Sequence, residues 1–330
     1  MIVDRKQFLE ILESVSPGLT IRDVVEQSSC LIFRGGMVST FNDEVMCSRP
    51  ISTKEEGAVM AAPLLKVLRG WPSGRIGVKF TDKELLLANK TRTRTAGIRL
   101  EAKIVSPIDM IAKPTKWKAL HSEFCNILHL SNQCTTSVGP MDVLACVHIT
   151  KHCVEACDRF QAIRHTIDTG LNHSSLIHRD AIKYIKAGKM VKVNEAEAWL
   201  HFCNDDDLML SCRRWMGSYR SLDSILEADD SSSVILPNEI LDVVNKAQIF
   251  ASDSKQVLVE MDSGKLKISG ENSSGWFKET IELKHTGSAM KFRITPELLC
   301  RVAGSECRIS RKKIRVDNGS FVWVAALSVL

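Results

Sequence analysis

Apolar residues recur in the same order three times along the chain. A helix-like start reads Phe8-Leu9-Glu10-Ile11-Leu12, then Phe124-Cys125-Asn126-Ile127-Leu128, then Ile240-Leu241-Asp242-Val243-Val244. Their leading residues are 116 and 116 positions apart. Apolar side chains at i, i+1, i+3 and i+4 share one stripe of a helix, so each segment predicts a helix with one buried face. A second helix-like segment ends on glycine in each third: residues 64–70, 182–188 and 298–304, with glycines 118 and 116 apart. Glycine at that position predicts a left-handed cap closing the last turn.

Beyond each glycine the period changes from about four to two. Residues 75–80 and 84–88 predict a strand pair turned at Thr81-Asp82-Lys83, and residues 208–212 and 307–310 repeat that texture. Residues 90–95, Lys-Thr-Arg-Thr-Arg-Thr, alternate in the same way. They predict a charged strand with Lys90, Arg92 and Arg94 on one face. Each third is therefore two short helices plus several antiparallel strands, an α+β unit large enough to bury its own core. Pro114 discourages helix near one junction and the polar run 228–233 marks the other, so the repeats are placed at 1–115, 116–230 and 231–330. A fixed period of this length outranks any short motif.

Composition narrows the picture only a little. With 44% hydrophobic and 25% charged residues the chain resembles an ordinary soluble protein, and no apolar run is long enough to cross a bilayer. The opening Met-Ile-Val-Asp-Arg-Lys lacks a secretory signal's apolar core, which predicts a cytoplasmic protein. Eleven cysteines, an odd number without a CxxC pair, predict reduced thiols. Cys146, His148, His152, Cys153 and Cys157 have metal-binding side chains, but their spacing matches no standard finger or ribbon, so no metal is expected. Asp205-Asp206-Asp207 reads as a solvated turn. No GxGxxG, GxxxxGK[ST], GxSxG or HExxH sequence is present, so the chain is read as non-enzymatic and without a cofactor.

Charge gives a more specific hint. The net charge is only +5, with Lys and Arg in excess in the first and last thirds and slightly outnumbered in the middle. Their placement matters more than their sum. Arg179, Lys183 and Lys186 fall at i, i+4 and i+7 and share one helix face. Equivalent helices carry Lys66, Arg69 and Arg301, and the leading helices carry Lys6 and Lys246; Arg22 is a further basic candidate. Any one of these has a bland reading as a solvated residue paired with Glu10, Asp180, Asp242 or Glu297. Recurrence at equivalent positions favours a phosphate-tracking surface. Aromatic residues are 6% of the chain and do not interleave with the basic ones, so duplex backbone contact fits better than base stacking.

These residues resemble the bacterial-type DNA sliding clamp, the beta subunit of DNA polymerase III, along essentially the whole chain. Residues 238–252, 264–270 and 292–299 resemble the family's C-terminal domain, residues 15–19 and 41–46 its first domain, and residues 156–160 its second. The resemblance implies three clamp domains, each two helices on antiparallel sheet, forming half of a six-domain ring closed by a head-to-tail homodimer. It implies a processivity factor that encircles double-stranded DNA and receives the polymerase and clamp loader through short peptide motifs. The peptide pocket it implies comprises Leu144, Cys157, Arg159, Phe160, Gln161, Ala162, Ile225, Val324, Ala325, Ala326 and Leu327. The dimer interface it implies comprises Val67, Ala96, Ile98, Ile249 and Phe250.

Two departures accompany the resemblance. The family's Gly-His-Arg reads Arg159-Phe160-Gln161 here, and its proline-and-methionine tail reads Ala325-Ala326-Leu327. The chain is net basic where family members are usually acidic outside, which weakens the expectation of a strongly negative outer face; sequence divergence with the architecture retained suits an atypical clamp of a bacterial cell or a phage-infected host. The competing reading is an accessory or regulatory DNA-binding protein that reuses the clamp fold without encircling DNA.

Overall fold

The computed structural model describes residues 1–23, 25–137, 143–229, 232–251, 255–284 and 288–328. By compactness the chain forms two units, each assembled from separate segments. Unit one comprises Met1–Asn132, Cys146–His152 and Ile167–Gly217; unit two comprises Gln133–Ala145, Cys153–Thr166 and Ser218–Leu330. The middle third of the sequence is therefore shared between them. Strand pairing explains the sharing, because Met209–Arg213 pairs with Val45–Pro50 of the first third while Gln161–Thr166 pairs with Phe321–Ala326 of the last. The junction expected at 230/231 lies outside the described residues.

In unit one an eight-stranded antiparallel sheet runs in the spatial order Gly57–Met60, Cys30–Arg34, Met37–Phe41, Val45–Pro50, Met209–Arg213, Trp199–Cys203, Lys192–Glu195, Lys118–Ala119. A second sheet runs Ile2–Asp4, Arg75–Phe80, Glu84–Asn89, Thr95–Arg99. Helices α1 (Arg5–Ser14) and α2 (Ala61–Gly70) pack together, as do α3 (Phe124–Asn132) and α4 (Arg179–Ala187). The stripes anticipated from the sequence are the buried ones: Phe8, Leu9 and Leu12 on α1, Phe124 and Leu128 on α3, Ile182 and Ile185 on α4. Asp4 starts α1 by accepting from the backbone N–H groups of Lys6 (2.9 Å) and Gln7 (3.1 Å), which satisfies donors that have no helical partner.

In unit two, six strands run Cys153–Cys157, Gln161–Thr166, Phe321–Ala326, Lys313–Asp317, Glu306–Ile309, Ser232–Ile235. A four-stranded sheet runs Gly275–Glu282, Lys265–Asn272, Val257–Asp262, Met290–Ile294. A short helix α5 (Asp223–Leu226) precedes α6 (Ile240–Ala247) and α7 (Pro296–Cys300), and α6 packs on both α7 and the four-stranded sheet. Close approach at that sheet needs glycine: a Cβ at Gly270 would collide with the carbonyl oxygens of Ala247 and Phe250.

Two local expectations are corrected. Only Gly304 has the left-handed conformation of a glycine cap, at φ 70°. Gly70 is the last residue of α2, and Gly188 is right-handed while Lys189 takes φ 50°. Residues 90–94 are a hairpin loop and not a strand, with Arg92 at φ 56°. The cause is Asn89, whose side chain accepts from Arg94 N (3.0 Å) and donates to the Thr91 (3.2 Å) and Thr93 (3.0 Å) hydroxyls. Local side-chain bonds of this kind compete with a strand ladder.

Candidate DNA-facing helices and partner groove

Helix α4 presents the strongest basic face. His178 precedes it and stacks on Trp215 with ring centroids 5.4 Å apart, and Asn132 Nδ2 of α3 donates to the Arg179 carbonyl at 3.2 Å. With Ala181, Ile182 and Ile185 turned inward, Lys183 and Lys186 are exposed, and Arg179 is half-buried at the first turn. Lys183 Nζ lies 4.8 Å from the centre of the Tyr184 ring, and neither lysine has a carboxylate within 4 Å among the described residues.

The other basic candidates differ in their surroundings. Lys6 lies 3.8 Å from Glu10, and Arg69 donates to Glu13 at 2.8 Å. Lys66 is exposed on α2 and Arg22 on a bend. Lys246 bonds Asp242 at 2.6 Å and lies 3.6 Å from Glu279, and hydrogen bonding to Asp242 raises its pKa. Arg301, at the end of α7, donates to Gln161 Oε1 at 2.9 Å and points at Gln133 O (3.4 Å) and Cys134 Sγ (3.6 Å).

Gln161 is the hub of that network. Its Oε1 also accepts from Trp323 Nε1 (3.3 Å) and Cys134 Sγ (3.4 Å), and its Nε2 donates to Gln133 O (3.1 Å) and Asp158 Oδ2 (3.0 Å). Burial pushes the Cys134 thiol up to about 12, so it acts as a neutral donor.

The other side of the same strand borders a groove of about 260 Å³ in unit two. Cys157, Arg159, Phe160, Gln161, Ala162, Ile225, Val324, Ala325 and Ala326 line it, all of them anticipated from the sequence. Leu144 and Leu327 do not line it. Leu144 packs against the apolar cluster of Cys157, Ala162, Leu222, Leu226 and Val324 behind it, and Leu327 is buried past the strand end. Phe160 at 56% and Ile225 at 46% exposure leave apolar surface open to solvent. Sequence reasoning missed Asp158, Ser224, Lys312 and Lys313. The pairing of Lys313 with Ala326 across one hairpin was the available signal.

Of the anticipated interface residues, Ile249 is 68% exposed, Val67, Ala96 and Phe250 are half-buried, and Ile98 is buried within its own sheet. Thr95–Arg99 and Gly275–Glu282 are edge strands of their respective sheets. Trp276, 66% exposed on the latter, was not anticipated.

Among the described residues no group of three or more His, Cys, Asp or Glu side chains is placed to hold a metal ion. Asp205–Asp207 form the turn around Asn204, whose Oδ1 accepts from Asp206 N (3.0 Å) and Leu208 N (2.9 Å). All eleven cysteines are free thiols. No helix among the described residues is long and apolar enough to cross a membrane.

Three helix pairs on antiparallel sheets, repeated along one chain, define a clamp fold, and solved structures place it more closely: the fold is that of the bacterial DNA sliding clamp. The chain matches the beta chain of DNA polymerase III from Streptococcus pneumoniae with TM-score 0.88 and 13% identity, over 100% of this chain and 99% of that one. It matches the DnaN sliding clamp (DNA polymerase III subunit beta) of Pseudomonas aeruginosa, solved bound to griselimycin, with TM-score 0.85 and 12% identity over the same shares. The pol III beta of Caulobacter crescentus gives 0.85 and 13%, again over 100% and 99%. No family model matches the sequence, and no curated protein matches it.

Proposed function

We propose that this protein is a DNA sliding clamp: a non-catalytic, ring-forming processivity factor that encircles duplex DNA in the cytoplasm and tethers a polymerase. The observation that carries this reading is correspondence with clamp structures over 99–100% of both chains, including all three helix pairs. Sequence-independent contact through exposed lysines suits such a role, because many weak phosphate contacts retain a duplex without fixing one site. The face of Lys183 and Lys186 leads the lining, with Arg179, Lys66, Arg69, Lys6 and Arg22 as further members; Lys246, held by Asp242 and Glu279, and Arg301, held by Gln161, contribute least. The groove flanked by Phe160 and Ile225 receives peptide motifs of the polymerase and loader. Head-to-tail pairing of the Thr95–Arg99 edge with the Gly275–Glu282 edge of a second copy closes the ring, with Val67, Ala96, Ile249 and Phe250 at the seam.

A second reading, a clamp-fold accessory protein that binds DNA without encircling it, is favoured by one departure: the groove carries Arg159, Phe160 and Gln161 at the positions where the resemblance aligns the family's Gly-His-Arg. Light scattering and DNA retention separate the two. A particle near twice 36.8 kDa that stays on nicked circles after loading and slides off linearised DNA supports the clamp. A monomer held equally by both forms overturns it in favour of the second reading.

A further inference from the structure

The groove has an electrostatic asymmetry that its apolar floor does not require. Arg159, Lys312 and Lys313 stand on its lining against one carboxylate, Asp158. That carboxylate is already engaged: Oδ1 accepts from Phe160 N (2.7 Å) and Gln161 N (2.9 Å), and Oδ2 from Gln161 Nε2 (3.0 Å). Lys313 Nζ donates to two carbonyls, Ile225 O (3.2 Å) and Glu227 O (2.6 Å), which fix the ammonium without neutralising it. Arg159 and Lys312 are exposed, and no carboxylate lies within 4 Å of either among the described residues. Asp223, at the start of the neighbouring α5, is bound to Arg164 (2.6 Å) and Ser221 (2.7 Å), and this bonding lowers its pKa. Uncompensated cations beside an exposed apolar surface favour a partner that supplies anionic groups next to apolar ones.

We propose that the groove selects an acidic-flanked peptide, in which apolar side chains pack between Phe160 and Ile225 while at least one adjacent Asp or Glu rests on Arg159 and Lys312. This rests on the peptide-groove reading above and adds the partner's charge. A single-stranded nucleic acid would also satisfy the cations and could stack one base on Phe160, but Phe160 is the one aromatic residue of the described lining and Ile225 offers an aliphatic surface instead of a second stacking platform, so the peptide is favoured.

The test uses the full-length protein and fluorescent peptides with blocked termini. Each has an Ala-Leu-Ala-Leu-Phe core flanked by two Asp, two Asn or two Lys. The Asp peptide should bind roughly tenfold more tightly than the Asn peptide, with the Lys peptide weakest. The difference should shrink at about 1 M salt, where screening acts within about 3 Å. In R159A/K312A the Asp preference should vanish, and in R159D/K312D it should reverse towards Lys; thermal melts check that these surface variants fold. Equal binding of Asp and Asn peptides would overturn the charge proposal and leave the groove reading standing. Failure of all three peptides to bind would overturn both. Undiminished binding when the core Leu and Phe become Ala, with oligo-dT competing as well as the Asp peptide, would overturn the peptide in favour of nucleic acid.

Discussion

The two compact units use their basic residues differently. In unit one, α4 leaves Lys183 and Lys186 without carboxylate partners among the described residues, while the ionisable His201, within the sheet strand Trp199–Cys203, is fully buried and held neutral by burial. In unit two, Lys246 is paired twice with carboxylates and Arg301 is held by a glutamine, while Arg159 and Lys312 stand uncompensated at a groove. Lys6 and Lys246 on the leading helices are both paired with a carboxylate, whereas Arg301 and the lysines of α4, on helices equivalent by repeat, therefore differ in chemistry. What distinguishes them is the neighbour three or four residues away in sequence, or across a sheet, and not the presence of a cation.

Acid gives the largest expected effect, because it would place a charge inside unit one. Burial lowers the His201 pKa from 6.5 to about 4; Nδ1 lies 2.7 Å from the Ser211 hydroxyl and Nε2 has no hydrogen-bond partner. The neutral imidazole thus contributes stability that is fully present above pH 6.5 and is lost as pH falls towards 4. The shift corresponds to about 3 kcal/mol. His201→Asn keeps a hydrogen-bonding side chain and cannot titrate. Denaturant midpoints from pH 7 to 4 should fall more steeply for the natural protein than for this variant. Parallel curves would show that the imidazole is not kept neutral by the fold.

The second test concerns the hub of unit two. Replacing Gln161 with Leu strands the Trp323 indole N–H, the Cys134 thiol and the Arg301 guanidinium, at a cost of roughly 1–3 kcal/mol. Arg301→Met should destabilise less, and a double-mutant cycle should return clear coupling between the two. If Arg301 has a structural role, its removal should leave the salt dependence of DNA binding nearly unchanged. A fall in salt slope without loss of stability would return Arg301 to the DNA-facing set.

The third test addresses α4. Lys183→Ala with Lys186→Ala should lower the slope of log K against log salt by about 1.8, roughly 0.9 per lost phosphate contact. The inward face of Ile182 and Ile185 is untouched, so melting temperature should hold. An unchanged slope would remove α4 from the DNA surface.

Much of this was legible in the sequence, and the remainder was hidden for identifiable reasons. The helix starts at Phe8, Phe124 and Ile240 were readable because one-sided burial imposes a short period that survives substitution. Nine of the eleven residues that the resemblance implies for a partner pocket line one groove, since strand order fixes which side chains meet. Residues 90–94 misled because their alternation is a strand signal, whereas Asn89 decides the loop through bonds that periodicity does not encode. The pairing of Lys246 with Glu279 spans helix and sheet, so no local count of charges could reveal it. The Gln161 hub was hidden for the same reason, its partners lying as far away in sequence as residue 323.

The smallest expected effect belongs to Lys246, and it is the sharpest test of the comparison. Asp242 and Glu279 hold its ammonium, so binding a phosphate would require exchanging one anion for another. Lys246→Ala should therefore change the salt slope by much less than the roughly 0.9 of a full phosphate contact. The converse change is more informative. Asp242→Asn with Glu279→Gln removes both carboxylates and leaves the lysine in place, which makes the surroundings of Lys246 resemble those of Lys186. If pairing alone separates the two helices, this variant should gain close to one contact's worth of slope, about 0.9, and a subsequent Lys246→Ala should abolish the gain. If Lys246→Ala in the natural protein already costs as much as Lys183→Ala, the pairing is too exposed to matter, and the helices of the two units bind DNA alike.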